Sequence, residues 1–291
     1  MKRVIVPLDG IEIAPNSLAL AALLARLFRA ELELMHVVAD EHVLAAVGGE
    51  TDTPDAFLQR ASAVVASDLA VQTHLYGGDP VEKVLERARE NLDSLLVVAS
   101  HGKSGLTRAV RGSVSDEIVR GSPVPVVVTR EMMRFPTGSI QSILVPLDGS
   151  SLSERALPSA IELARLSGAT LGLVSVIDGH QLTAALGVDY RSEIGISIED
   201  ETRDLARSYL DAKVRELRAD AVRVTWEVRI GRPADEIIRA ARTTEADLIV
   251  MSSHGRGGVR RWAFGSVTDD IVLRGHTPVV VISASGKPNN D

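Results

Sequence analysis

The chain contains no cysteine, which excludes disulfides, thiolate metal sites and cysteine nucleophiles. Aromatic residues make up only 3% of its 291 positions, so a core has to be assembled from Val, Leu, Ile and Ala. That composition suits buried parallel strands covered by helices. A basic surplus is also missing. The net charge is −7, against the phosphate neutralisation that binding a nucleic-acid polymer requires. A single nucleotide needs only local donors and survives that exclusion. The longest uncharged apolar run, Ile13 to Ala25, is too short to span a bilayer. Met1-Lys2-Arg3 is basic, but Asp9 arrives before a signal-like apolar region develops, so a soluble cytoplasmic protein is the expectation.

What the chain does have is a long internal repeat. Val4-Ile5-Val6-Pro7-Leu8-Asp9-Gly10 returns 139 residues later as Ile143-Leu144-Val145-Pro146-Leu147-Asp148-Gly149. Ala99-Ser100-His101-Gly102, nine residues and Gly112-Ser113 return 153 residues later as Ser252-Ser253-His254-Gly255, nine residues and Gly265-Ser266. The two offsets differ, so the second copy carries about 14 extra residues in its middle, expected within 178–198. A repeat of this length reads as two tandem domains, residues 1–130 and 140–291, joined by a linker over 131–139 that contains Pro136 and Gly138.

Within each copy apolar runs alternate with segments of helical periodicity. In the first, strands are expected near 4–8, 31–38, 70–76, 95–98 and 123–128, with helices at 17–30, 80–91 and 114–120 between them. Residues 41–67 give a weaker helical signal. Asp79 is placed to cap a helix that has Pro80 at its first position. The second copy repeats the order with helices at 152–167, 197–219, 233 onward and 267–274. Its strands are expected at 170–177, 222–229, 247–251 and 278–283. Strands alternating with helices imply a parallel sheet with right-handed crossovers, so each half is an α/β, doubly wound domain. Such sheets bind ligands at the carboxyl ends of their strands, where Asp9, Asp148 and both glycine loops fall.

Each of these groups has two readings. The glycines can let backbone N–H groups approach a phosphate at a helix N-terminus. Alternatively Ser113 and Ser266 simply cap their helices, with Asp116 and Asp269 three residues on in the manner of a capping box. Asp9 and Asp148 can accept hydrogen bonds from a ribose hydroxyl or an adenine amino group, or can be turn residues before glycine. A phosphoacceptor role lacks the neighbouring acids that would hold Mg²⁺. His101 and His254 have no nucleophile at a recognisable spacing and read as residues that order the loop. Arg256, Arg260 and Arg261 can meet a triphosphate tail or form a solvated face, the second being the favoured reading. Gly102-Lys103-Ser104 lacks the earlier glycine of a P-loop, and Gly255-Arg256-Gly257-Gly258 fails the dinucleotide spacing.

Taken together, the glycine spacing, the Val-Pro-Leu-Asp-Gly opening, Gly231-Arg232-Pro233 and the closing Pro-Val-Val-Val strand resemble the universal stress protein family in a tandem form. The resemblance spans nearly the whole chain. It implies two Rossmann-like domains, similar to those of the adenine-nucleotide alpha hydrolases, that bind ATP with Mg²⁺ as its accompanying cation. The implied nucleotide set in the first half is Pro7, Asp9, Val37, Ala99, His101, Gly102, Gly112, Ser113, Val114 and Ser115. In the second half it is Pro146, Asp148, Val176, Ser252, His254, Gly255, Gly265, Ser266, Val267 and Thr268. The family's first motif glycine is Ala99 in one copy and Ser252 in the other, which places a side chain where backbone approaches ligand. The function implied is a nucleotide-dependent stress regulator without efficient catalysis; a non-binding adaptor and a slow ATPase are the alternatives. The family also pairs through its last strand, so Val126–Val128 and Val279–Val281 are expected to join the halves as an internal pseudo-dimer, with pairing of whole chains as a homodimer left open.

Overall fold

The computed structural model describes residues 1–10, 13–38, 53–65, 68–99, 113–179, 192–218, 222–253 and 265–283. The chain divides into two compact units, Met1–Gly138 with Val280–Asp291, and Ser139–Val279. Each is an α/β unit built on a parallel sheet.

In the first unit the strands are β1 (Arg3–Leu8), β2 (Glu31–Val38), β3 (Val71–Gly77), β4 (Ser94–Ala99) and β5 (Val126–Thr129). They lie in the order β3-β2-β1-β4-β5, every pair parallel. The registers Arg3↔Glu31 and Arg3↔Ser94 place β1 between its two neighbours. The connecting helices are α1 (Pro15–Phe28), α2 (Pro54–Val64), α3 (Pro80–Glu90) and α4 (Ser113–Gly121). Central strands covered on both faces cannot alternate polar with apolar residues, and Val4–Val6 and Ser94–Val98 are buried without a break. Edge strand β3, by contrast, exposes Gln72 and Thr73. Thr53 and Asp79 start α2 and α3 by accepting from the N–H groups of Ala56 (3.1 Å) and Glu82 (2.8 Å), each ahead of a proline in the first turn.

The second unit repeats the plan with β6 (Ser142–Pro146), β7 (Thr170–Ile177), β8 (Arg223–Ile230) and β9 (Leu248–Ser252), ordered β9-β6-β7-β8. Its helices are α5 (Ser151–Glu154), α6 (Leu157–Ser167), α7 (Glu193–Arg218), α8 (Pro233–Thr243) and α9 (Ser266–Arg274), and β10 (Val279–Ile282) closes the described chain. The single helix expected over 152–167 is broken into α5 and α6. Pro158 has no N–H to return to the Glu154 carbonyl, and its ring excludes that carbonyl from helical position. The added length of this copy appears in the crossover between β7 and β8, where α7 has 26 residues against 11 in α2. α7 begins at Glu193, earlier than periodicity suggested, and residues 180–191 lie outside the described part.

The two cores differ in one respect that backbone pattern conceals. In the first unit Glu33, only 1% exposed, sits inside the sheet–helix layer. Arg87 of α3 grips it with both arms of its guanidinium, Nε to Oε1 at 2.8 Å and Nη2 to Oε2 at 3.0 Å, and Arg3 approaches at 3.4 Å. Hydrogen bonding to Glu33 raises the Arg87 pKa above its ordinary value. At the corresponding positions the second unit has Ser142, Gly172 and Ala240, with no charge at all. Truncating one member of a buried pair strands the other, whereas replacing both with apolar groups removes the desolvation cost as well. Arg87→Ala is therefore expected to lose about 3 kcal/mol of stability, and Glu33→Leu with Arg87→Leu to lose clearly less, both read from urea unfolding.

Candidate functional site

In both units the strand that ends in Asp-Gly lies beside the strand that ends in the glycine loop: β1 next to β4, and β6 next to β9. The chain leaves these neighbours in opposite directions, β1 toward β2 and β4 toward β5. That divergence opens a crevice at the carboxyl ends of the two strands, the ordinary ligand position of a doubly wound sheet.

The floor of the first crevice is a tight turn. Gly10 has φ +77°, a backbone state that favours glycine, and a Cβ there would stand 2.3 Å from Cε1 and 2.6 Å from Nε2 of His36. The His36 ring is buried, and its Nδ1 lies 2.8 Å from the Leu8 carbonyl. A carbonyl only accepts, so Nδ1 carries the proton and donates. This histidine was not among the residues singled out from sequence. The signal available was its register opposite Leu8, one residue before Asp9, and that becomes visible only once β1 and β2 are aligned.

The second crevice reaches the same turn by other means. Gly149 repeats the left-handed state at φ +78°, but the residue at the His36 position is Ser175. Here Asp148 Oδ1 accepts from both the N–H (2.9 Å) and the hydroxyl (2.6 Å) of Ser150. Ser150 Oγ accepts from the Ser153 N–H at 3.1 Å, and Ser153 Oγ accepts from the Asp148 N–H at 3.3 Å. Asp148 thus closes a turn, one of its two sequence readings. A further group lies close by on α5 and α7. The Tyr209 hydroxyl donates to Glu154 Oε1 at 2.8 Å, and Lys213 Nζ stands 3.0 Å from Oε2. Burial raises the Tyr209 pKa well above the usual phenol range, reinforced by Glu154 and by the charge of Asp148. The Tyr209–Glu154 bond joins residues 55 apart, and Lys213 is farther still along the chain, so no local motif announces the group.

The glycine loops themselves, with His101, Gly102, Gly112, His254 and Gly255, lie outside the described residues. Their flanks are described. β4 ends at half-buried Ala99, paired in register with Thr129. Thr129 Oγ1 donates to the Val98 carbonyl (3.3 Å), so the Ser17 hydroxyl, 2.7 Å away, donates to Thr129. α4 starts at Ser113, with Val114 exposed and Ser115 half-buried. In the second unit Ser252 is buried, and the Gly265 N–H donates to the Ser253 carbonyl at 2.7 Å. Gly265 is the N-cap of α9, and Asp269 donates the first intrahelical bond back to its carbonyl at 3.0 Å. Ser266 is consequently the first helical residue, so the capping reading for it fails: a residue inside the helix is not placed to cap it. Thr268, two residues on, is buried, and its hydroxyl donates to the Ser252 carbonyl at 3.4 Å. Pro7 and Pro146 lie within the last two residues of their strands, opposite Met35 and Val174, and Val37 and Val176 are half-buried near the ends of β2 and β7. The architecture thus brings Pro7, Asp9, Val37, Ala99 and the start of α4 to one sheet edge. It brings Pro146, Asp148, Val176, Ser252 and the start of α9 to the other.

A doubly wound parallel domain present twice in one chain, each copy ending its first strand in Asp-Gly, defines a tandem Rossmann-like protein. A profile described as the universal stress protein family matches residues 1–130 and again 139–283. The chain belongs to the universal stress protein family. Among its relatives, a universal stress protein of Mycobacterium tuberculosis is 28% identical over 222 residues, covering 75% of this chain and 70% of that one. One from Mycolicibacterium smegmatis is 27% identical over 278 residues, covering 90% of each. In fold, the chain is similar to the crystal structure of a universal stress protein from Archaeoglobus fulgidus, with TM-score 0.65, 20% identity and coverage of 97% and 98%.

Tyr209 yields a pH test. Its folded pKa lies above the unfolded value of about 10, so its contribution to stability is complete below that pH. The contribution fades as pH rises toward the folded pKa. Tyr209→Phe is expected to remove this alkaline loss of stability, and to delete a late step from the ultraviolet titration of tyrosinate.

Proposed function

We propose that each crevice is an ATP site and that the chain is a nucleotide-dependent stress-response regulator of the cytoplasm, without efficient turnover. The observation that carries this reading is the start of α9. The N–H groups of Ser266, Val267 and Thr268 occupy a helical first turn, where no intrahelical acceptor exists. The N-cap, Gly265, has no side chain to offer in their place. Unsatisfied donors and the positive end of the helix macrodipole together suit a phosphate. They stand at the carboxyl end of β9, one strand from Asp148, whose carboxylate suits a ribose hydroxyl or an adenine amino group. By the repeat, Ser113, Val114 and Ser115 supply the same donors in the first unit, with Asp9 across the crevice.

The donor set fits a polyphosphate rather than a dedicated metal centre. Among the described residues no group of three or more His, Asp or Glu is assembled. Mg²⁺ then enters as the nucleotide's own cation, held by phosphate oxygens and water, as that ion prefers.

The second reading, a non-binding adaptor, draws on Asp148. Its Oδ1 is already engaged by Ser150, as a purely structural turn would have it.

Gly265→Val separates the two. Gly265 has φ −63° and ψ 155°, which valine adopts without strain, so the variant is expected to fold and to obstruct only the approach of a ligand. Calorimetric titration with ATP and Mg²⁺ is expected to give two sites per chain in the parent protein. Gly265→Val and Gly112→Val should each lose one, and mass spectrometry of the freshly purified, denatured chain should find adenine nucleotide. Absence of heat and of nucleotide in the parent protein would establish the adaptor.

A further inference from the structure

We infer that the outward face of α7 is a surface on which two copies of this chain associate, antiparallel and about a two-fold axis at Leu205. The helix is too long for the sheet it covers. Its 26 residues extend about 39 Å, whereas the eight-residue strands β7 and β8 span about 26 Å. Its buried leucine and valine anchors, Leu210, Val214 and Leu217, all come from the C-terminal half.

On the side turned away from those anchors, Ile194, Ile198, Leu205 and Ala212 follow one another at intervals of four, seven and seven residues. Such spacing aligns them in a single stripe. Leu205 is 67% exposed and Ile194 63%, among the largest apolar exposures in the described chain. Exposed Glu201 and Ser208 lie one turn to either side of Leu205 on this face, so the stripe is a narrow apolar seam within a polar surface.

The occupant follows from where the residues fall along the helix. Leu205 lies at the midpoint of 193–218, so a two-fold axis through it pairs Leu205 with its own copy, Ile198 with Ala212 and Ile194 with the aliphatic stem of Glu216. Charge has the matching asymmetry. Residues 193–205 contain five acids and one base, and residues 206–218 contain four bases and two acids. Antiparallel pairing lays the acidic half of each helix on the basic half of the other, and also opposes the two macrodipoles. Parallel pairing would set acid on acid. An interface in which one patch meets itself is the isologous kind that closes a dimer.

The test uses the full chain and does not depend on nucleotide. Sedimentation should show association to twice the chain mass of 31.1 kDa, weakening as salt is raised. Leu205→Asp, at an exposed site, is expected to raise the dissociation constant roughly tenfold or more, while Leu166→Asp, exposed on α6, leaves it unchanged. Because the chain has no cysteine, Leu205→Cys introduces a single thiol at the proposed axis. Oxidation is expected to give a covalent dimer in high yield from Leu205→Cys and only background from Leu166→Cys. A monomer at every concentration, a dimer indifferent to Leu205→Asp, or equal cross-linking at the two positions would each overturn the inference.

Discussion

A parallel strand can pair with its neighbour only after the chain has travelled back to the same edge of the sheet, and this requirement arranges everything else in the molecule. Each return is a helix, so each strand's carboxyl end is followed by a loop and then by a helix start. Where successive returns part, between β1 and β4 or between β6 and β9, no connection crosses the gap. The donors that a helix start cannot satisfy internally are left beside that gap. The crevice is therefore a by-product of topology, and side chains only line what the backbone has already placed.

The two copies show how much freedom remains after that placement. Both hold a left-handed glycine directly after the strand-end aspartate, at φ +77° and +78°. One braces the turn with a buried imidazole bonded to Leu8; the other braces it with a ring of hydroxyls from Ser150 and Ser153. The first core encloses Glu33 between two arginines, while the second has serine, glycine and alanine at those positions. The backbone of the Asp-Gly turn is common to both halves, and the side-chain solutions around it are not.

What could be read from the amino-acid order follows the same division. The strands, their parallel pairing and the two Asp-Gly turns were legible because buried runs and glycines act locally. The break between α5 and α6 was legible in principle from Pro158, but apolar periodicity ran straight through it. Ser266 could be read as a cap as well as a phosphate ligand because serine followed by an acid three residues later is a common helix start. Only the backbone shows that the cap lies one residue sooner, on Gly265, with Ser266 already helical. His36 and Tyr209 were invisible for a different reason: each acts on a residue brought near by the fold, Leu8 across a strand pair and Glu154 across two helices.

The charged contact in the first core has a thermal consequence. Hydration of ions becomes less favourable on heating, so the penalty for burying Glu33 and Arg87 shrinks as temperature rises, while the benefit of apolar burial levels off. The second unit, uncharged at those positions, encloses its acid elsewhere: Glu236 in the first turn of α8, with Arg229 at 3.5 Å and Arg239 at 2.7 Å. One chain therefore joins two copies of the same architecture that each bury a carboxylate between two arginines, on β2 in the first and on α8 in the second. Warming eases the same kind of cost in both halves, so the order in which they soften is left to packing and not to a charged contact held by one of them.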